Sequence, residues 1–139
     1  MVVAIMSILS TVVFSSLTTS RQTQILNSET EKAFSILTDA RGKTLASIDS
    51  SQYGVHFATD SITLFKGSSY NSSDPENQET DLNPAVEIAN ISLSGGGANI
   101  IFNRLTGATS QSGTFSVRLE ADTSKTKTII VSASGLIDG

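Results

Sequence analysis

Several short stretches carry residue types that do chemistry in other proteins. The run RGKT, residues 41–44, ends like a phosphate-binding loop, in which a lysine and a hydroxyl meet the phosphates of a nucleotide. The first glycine of that pattern would fall at Leu37, and the residues before it have helical rather than strand periodicity, so RGKT is expected on a helix surface. The run SGGG, residues 94–97, has no lysine after it and separates two strand-like segments, which makes it a turn. His56 is the single histidine. Alternation places it on the strand face opposite Val55 and Phe57, and no serine sits in a GxSxG elbow, so a catalytic triad is excluded. Asp74, Glu76, Glu79 and Asp81 offer hard oxygens of the kind that hold calcium, but their spacing is not that of an EF-hand, and a solvated acidic loop is expected. NSS at Asn71 and NIS at Asn90 fit a glycosylation sequon that arises readily by chance.

The basic residues Arg104, Arg118, Lys125 and Lys127 lie near the C-terminal hairpins, offset by Glu120 and Asp122. With 13 acidic against 9 basic residues, the surface is mildly acidic, which disfavours phosphate-driven binding of nucleic acid. There are no cysteines, hence no disulfide framework and no zinc–thiolate site. None of these constellations supports an enzyme, and none implies a cofactor, a metal or a small-molecule substrate.

The elements that carry these residues fall into three parts of one modest domain, since 139 residues are too few for two good cores. In residues 1–20 the apolar positions Val2, Val3, Ile5, Ile8, Leu9, Val12, Val13, Phe14 and Leu17 are spread round the whole helical circumference, and no charge occurs before Arg21. A helix apolar on every side is buried in lipid or among other helices. Twenty residues span about 30 Å, the thickness of a bilayer's hydrocarbon core. Strong hydrophobes at about 0.3–0.6 kcal/mol each give roughly 3–5 kcal/mol of insertion free energy before the serines and threonines subtract from it. That is a weak anchor, or one completed by apolar residues upstream of Met1.

Residues 21–48 read as the amphipathic continuation of the same helix. Leu26, Ala33, Leu37, Ala40, Thr44 and Ile48 form the apolar stripe, with Ile25, Ile36 and Leu45 beside it, while Glu29, Glu31, Lys32, Asp39, Arg41 and Lys43 lie mainly on the other side. No strong stop separates the two parts, and a continuous rod of that length is too long for a compact domain, so one half must leave it. Residues 53–139 alternate like strands: YGVHFATDSITLF as a hairpin, a long polar stretch KGSSYNSSDPENQETDLNP, then AVEIANISL, NIIFNRL and a closing hairpin with Phe115, Val117 and Leu119 inward. Six short strands on an N-terminal helix give an α+β head, residues 21–139, in which the amphipathic half of the helix packs on an antiparallel sheet.

This order resembles type IV pilins and the pseudopilins of type II secretion, in particular the minor pseudopilin H branch. LTDARGKTLAS is similar to that family's "AR" turn near the end of the helix, IIFNRLTGATSQSGTFSVRL to its phenylalanine-to-glycine strand and following hairpin, and TIIVSASGLI to its closing strand. Members carry a basic leader and a cleavage motif of the form GFTLIE before a run like MMVVAIMSILS. The present chain begins inside that run, so the peptidase glycine and the glutamate of the methylated N-terminus are expected upstream of Met1.

The resemblance implies a bacterial, non-enzymatic filament subunit. It would wait in the inner membrane as a single-pass protein with its head on the extracytoplasmic side, then enter a periplasmic or extracellular filament. Residues 1–20 would be the transmembrane and filament-core half, trading lipid for neighbouring helices, with Ser7, Ser10 and Thr11 permitting close approach. Its partners would be other pilin or pseudopilin subunits and the assembly machinery; no nucleic acid is implied. The alternative is a membrane-anchored extracytoplasmic binding module whose helix is only a tether.

Overall fold

The helix α1 runs unbroken from Val2–Leu45. The computed structural model describes the backbone of residues 2–139 and the side chains of residues 20–139. Leu26, Glu29, Ala33, Leu37, Ala40 and Thr44 are buried along α1, at steps of three and four that keep them on one face. Two alanines in that stripe, Ala33 and Ala40, are fully buried and keep the helix close to the strands beneath it.

The helix ends three residues before the sequence placed its end. Ser47, Asp49 and Ser50 all take left-handed backbone angles (φ 50°, 54° and 52°), and residues Ile48–Ser50 form a 3₁₀ turn. Serine and aspartate here do what glycine usually does at a helix C-terminus, so no glycine signals the stop. Ile48, expected in the buried stripe, is exposed in this turn, and so is Leu45 in the last helical turn. Thr44 fastens the helix end to the sheet: its hydroxyl donates to the Ala40 carbonyl at 2.8 Å and accepts the Tyr53 N–H at 2.9 Å.

Eight strands follow rather than six, in two four-stranded sheets rather than one. They are β1 (Tyr53–Phe57), β2 (Ser61–Lys66), β3 (Gln78–Asp81), β4 (Val86–Leu93), β5 (Asn99–Ile101), β6 (Gly113–Leu119), β7 (Thr126–Val131) and β8 (Ile137–Asp138). The first sheet has the order β3-β2-β1-β5 and the second β4-β6-β7-β8, with every pairing antiparallel. The hairpin β1–β2 has the expected register, Val55 opposite Leu64 and Phe57 opposite Ile62.

The strand missed in the polar stretch is β3. Its residues Gln78, Glu79, Thr80 and Asp81 show no apolar alternation, because it is an edge strand lying mostly in solvent, held by pairing with β2. A single core joins the sheets and the helix: Val55, Phe57, Ile62, Leu64 and Ile100 from the first sheet meet Val86, Ile88, Phe115, Val117, Leu119 and Ile129 from the second. Phe57 and Phe115 mark the junction, with ring centroids 4.3 Å apart.

Candidate assembly surfaces

The sequence placed its functional residues on the stem of α1: Val2, Val3, Ile5, Ile8, Leu9, Val12, Val13, Phe14 and Leu17. Their backbone belongs to α1, and their side chains lie outside the described residues, as do those of Ser7, Ser10 and Thr11. Among the described residues no helix is long and apolar enough to cross a membrane.

The face of α1 turned away from the sheets is not uniformly polar. Phe34, Leu45 and Ile48 are exposed there, and Leu136 (64% exposed) stands beside them from the turn between β7 and β8. Two concave surfaces meet along this face. One, of about 700 Å³, runs over Phe34, Ser35, Thr38, Gly42 and Ile48. The other, of about 300 Å³, lies between the helix and the β7–β8 turn. They share Phe34, Thr38 and Gly42.

Of the RGKT residues, Arg41, Gly42 and Lys43 line these surfaces, while Thr44 faces the sheet. Arg41 donates from Nε to the Gly107 carbonyl at 3.2 Å, Lys43 pairs with Asp39 at 3.4 Å, and Thr44 is buried as described. Gly135, at φ 87°, permits the close meeting of the two loops at Arg41, since a Cβ there would overlap the Gly107 carbonyl oxygen. The loop before Gly107 carries Leu105 at its tip, 90% exposed and itself left-handed at φ 73°.

Glu29 corrects the sequence assignment to the solvated side of the helix. It is buried, takes Lys32 Nζ on both oxygens at 3.0 Å, and accepts the Asn83 N–H at 3.1 Å. Asn83 lies in the crossing between the two sheets, so this carboxylate pins that crossing to the helix. A charge-assisted bond of this kind is worth about 1.5–3 kcal/mol. Its signal in the sequence was its position, four residues before Ala33 in the apolar stripe.

The polar stretch is tied down at three points. Tyr70 stacks on His56 with centroids 3.9 Å apart and meets Phe65 edge-on, and His56 Nδ1 lies 2.6 Å from the Asn99 side-chain oxygen. Gly54 makes room on this outer face of the first sheet, since a Cβ there would strike the Phe65 ring at 2.6 Å. Lys66 bridges Asp49 (3.5 Å) and Glu76 (3.6 Å), joining the stretch to the turn after α1. Partial desolvation lowers the Lys66 pKa, but the carboxylates of Asp49 and Glu76 outweigh it and hold the ammonium above the usual lysine value.

The acidic residues of the stretch do not converge. Asp74 caps its own turn by accepting the Glu76 N–H at 2.9 Å, while Glu79 and Asp81 sit on β3. Among the described residues no group of three or more acids or histidines is placed to hold a metal ion. Of the basic residues near the C-terminal hairpins, Arg118 is paired across strands with Glu87 at 2.7 Å. In the β6–β7 turn, Asp122 accepts both the hydroxyl and the N–H of Ser124, which hold its carboxyl below the usual value.

The arrangement is similar to the crystal structure of the type IV minor pilin FimU from Pseudomonas aeruginosa (strain PAO1). The TM-score is 0.59 at 15% sequence identity, over 81% of this chain and 90% of that one. No protein-family model matches the chain, and no curated protein matches it in sequence. The likeness shows the fold: one N-terminal helix packed on antiparallel sheets, an α+β arrangement of the pilin type.

Proposed function

We propose that the chain is a structural subunit, a minor pilin or minor pseudopilin, of a type IV pilus-like or type II secretion filament. The observation that carries this reading is α1. It is one helix of 44 residues, and of its described side chains, which start at Ser20, the first buried one is Leu26. About 24 residues, or roughly 36 Å of helix, precede that point. Their sequence is apolar on all sides with no charge before Arg21, and such a helix requires lipid or other helices around it. The pilin-type fold of the head supports the same reading, since the solved neighbour is a type IV minor pilin.

In this reading the subunit waits in the inner membrane with Val2, Val3, Ile5, Ile8, Leu9, Val12, Val13, Phe14 and Leu17 in hydrocarbon and the head outside the cytoplasm. Assembly exchanges lipid for sister stems. The head has a structural role and no catalytic one. Single cysteines at Ile8 or Val12 test this in cells that make the filament, in a chain with no other cysteine. Subunit-to-subunit adducts through these positions are expected. Their absence, or full function with the stem scrambled at constant composition, would instead favour a simple tether.

A further inference from the structure

We propose that His56 and Tyr70 form an acid-tightened clasp, which holds the polar stretch, residues 67–77, as a strap over the outer face of the first sheet. The inference stands apart from the subunit reading, because it uses only contacts within the head.

The outer face of that sheet has a small apolar centre of its own. Phe65 is 1% exposed, yet it lies outside the core shared by the sheets and the helix. Its ring sits over Gly54, its cross-strand partner, and meets Tyr70 edge-to-face with centroids 5.6 Å apart. Tyr70 is the strap's single aromatic residue. Lifting the strap takes Tyr70 away from Phe65 and bares an aromatic side chain to water.

The ends of the strap are fastened by polar contacts. The Gly67 N–H donates to the Gln52 carbonyl at 2.7 Å, Lys66 pairs with Glu76 at 3.6 Å, and Asn77 Nδ2 donates to the Asn71 carbonyl at 2.7 Å. Its middle rests on one titratable ring. His56 stacks on Tyr70 with centroids 3.9 Å apart and planes 5° from parallel. On the same ring, Nδ1 lies 2.6 Å from the Asn99 side-chain oxygen, which only accepts, so Nδ1 carries the hydrogen and Nε2 the lone pair. Imidazole is the side chain whose charge ordinarily changes between about pH 5 and 8. A proton taken up by this ring goes to Nε2 and breaks neither contact. The bond to Asn99 becomes charge-assisted, and the stack becomes a cation over an aromatic face. Both contacts of the closed strap therefore strengthen in acid.

The groups around the ring act in the same sense. His56 stands opposite Thr63 of β2 and Asn99 of β5, and Thr63 stands opposite Glu79 of β3. Glu79 is thus about 10 Å away on the same face. Asp81 continues the acidic row of β3, and the strap itself carries Asp74 and Glu76. The outward residues of β2 and β5 next to His56 are neutral. The cation at the base of the strap, Lys66, is held by Asp49 and Glu76. An imidazolium here meets carboxylates and no unanswered cation.

Hydrogen exchange of the whole protein tests the clasp, read as protection factors so that the intrinsic pH dependence of exchange is divided out. The amides of Gly67, Asp74 and Asn77 are all bonded in the closed strap. From about pH 7.5 to about pH 5 their protection should rise about three- to tenfold, the worth of a cation on a partly exposed ring and a charge-assisted bond. The rise should follow the titration of the His56 ring in nitrogen-15 NMR spectra, and the neutral ring should show its hydrogen on Nδ1. His56→Phe keeps a ring against Tyr70 but takes up no proton, and should hold protection constant over the same range. Tyr70→Leu should lower protection at both ends and abolish the rise. The tautomer and the coincidence of the two titrations are read on the unaltered chain, so the clasp stays testable should a variant misfold. A neutral ring with its hydrogen on Nε2 would overturn the clasp, and so would protection that stays level or falls in acid. A rise that survives His56→Phe would overturn it as well, and assign the response to the carboxylates.

Discussion

The two faces of α1 from residue 26 to its end at Leu45, with the turn that follows, are built from similar residue types and treated in opposite ways. On the inner face Ala33, Leu37 and Ala40 are fully buried, and Thr44 spends its hydroxyl on the strand that follows. On the outer face Phe34, Leu45 and Ile48 stay exposed around a floor of Thr38 and Gly42. The inner face satisfies itself within the chain. The outer face leaves Phe34, Leu45 and Ile48 partly open to solvent, where the rest of the chain does not cover them. The difference separates what folds the head from what the head offers to something else.

Substitutions should split along the same line. The largest effect is expected for Leu37→Ala: a fully buried side chain is removed from under both sheets, and the head should lose about 2–5 kcal/mol in denaturant unfolding. Glu29→Ala comes next. It strands the Asn83 N–H and frees Lys32, and should cost about 1–3 kcal/mol, whereas Glu29→Gln, which keeps an acceptor for Asn83, should cost less. Phe34→Ser, on the outer face, should leave head stability within about 0.5 kcal/mol while lowering self-association. A Phe34→Ser loss as large as that of Leu37→Ala would erase the distinction between the faces.

The smallest effects lie at two half-buried charges away from both faces. The Asp122 carboxyl is held low by Ser124, so its contribution to stability is present above the ordinary carboxylate range and disappears as the pH falls through its lowered folded value. Ser124→Ala should move the Asp122 titration upward in an NMR pH series. Lys66 behaves in the opposite sense. Its raised pKa contributes fully below the ordinary lysine value and is lost as the pH rises through the folded value, so Lys66→Met should flatten the alkaline side of the stability profile.

Much of the inner face was legible in the sequence because burial imposes a period. The steps joining Leu26, Ala33, Leu37, Ala40 and Thr44, and the alternation of Val55, Phe57, Phe115, Val117 and Leu119, are the direct print of one covered side. Three features left no such print. The stop of α1 rests on serine and aspartate in left-handed angles, residue types that also occur inside helices. The edge strand β3 is polar on both sides, so alternation is absent even though pairing with β2 is not. Glu29 sits in the buried stripe with its charge answered by Lys32, three residues on along the helix, and by the Asn83 N–H, a partner that sequence spacing does not supply. The outer groove was half visible: Phe34 is an aromatic on an otherwise solvated side, but Leu136 reaches it from a hairpin about a hundred residues further along the chain.

The hydroxyl bridge at Thr44 has a mechanical side. A pull along α1 passes, through that bridge and the short turn after it, into β1, which is bonded on one edge to β2 and on the other to β5. Tension on the stem therefore loads an interior strand of the first sheet, where many bonds share it, and not an edge strand that could be peeled away one bond at a time.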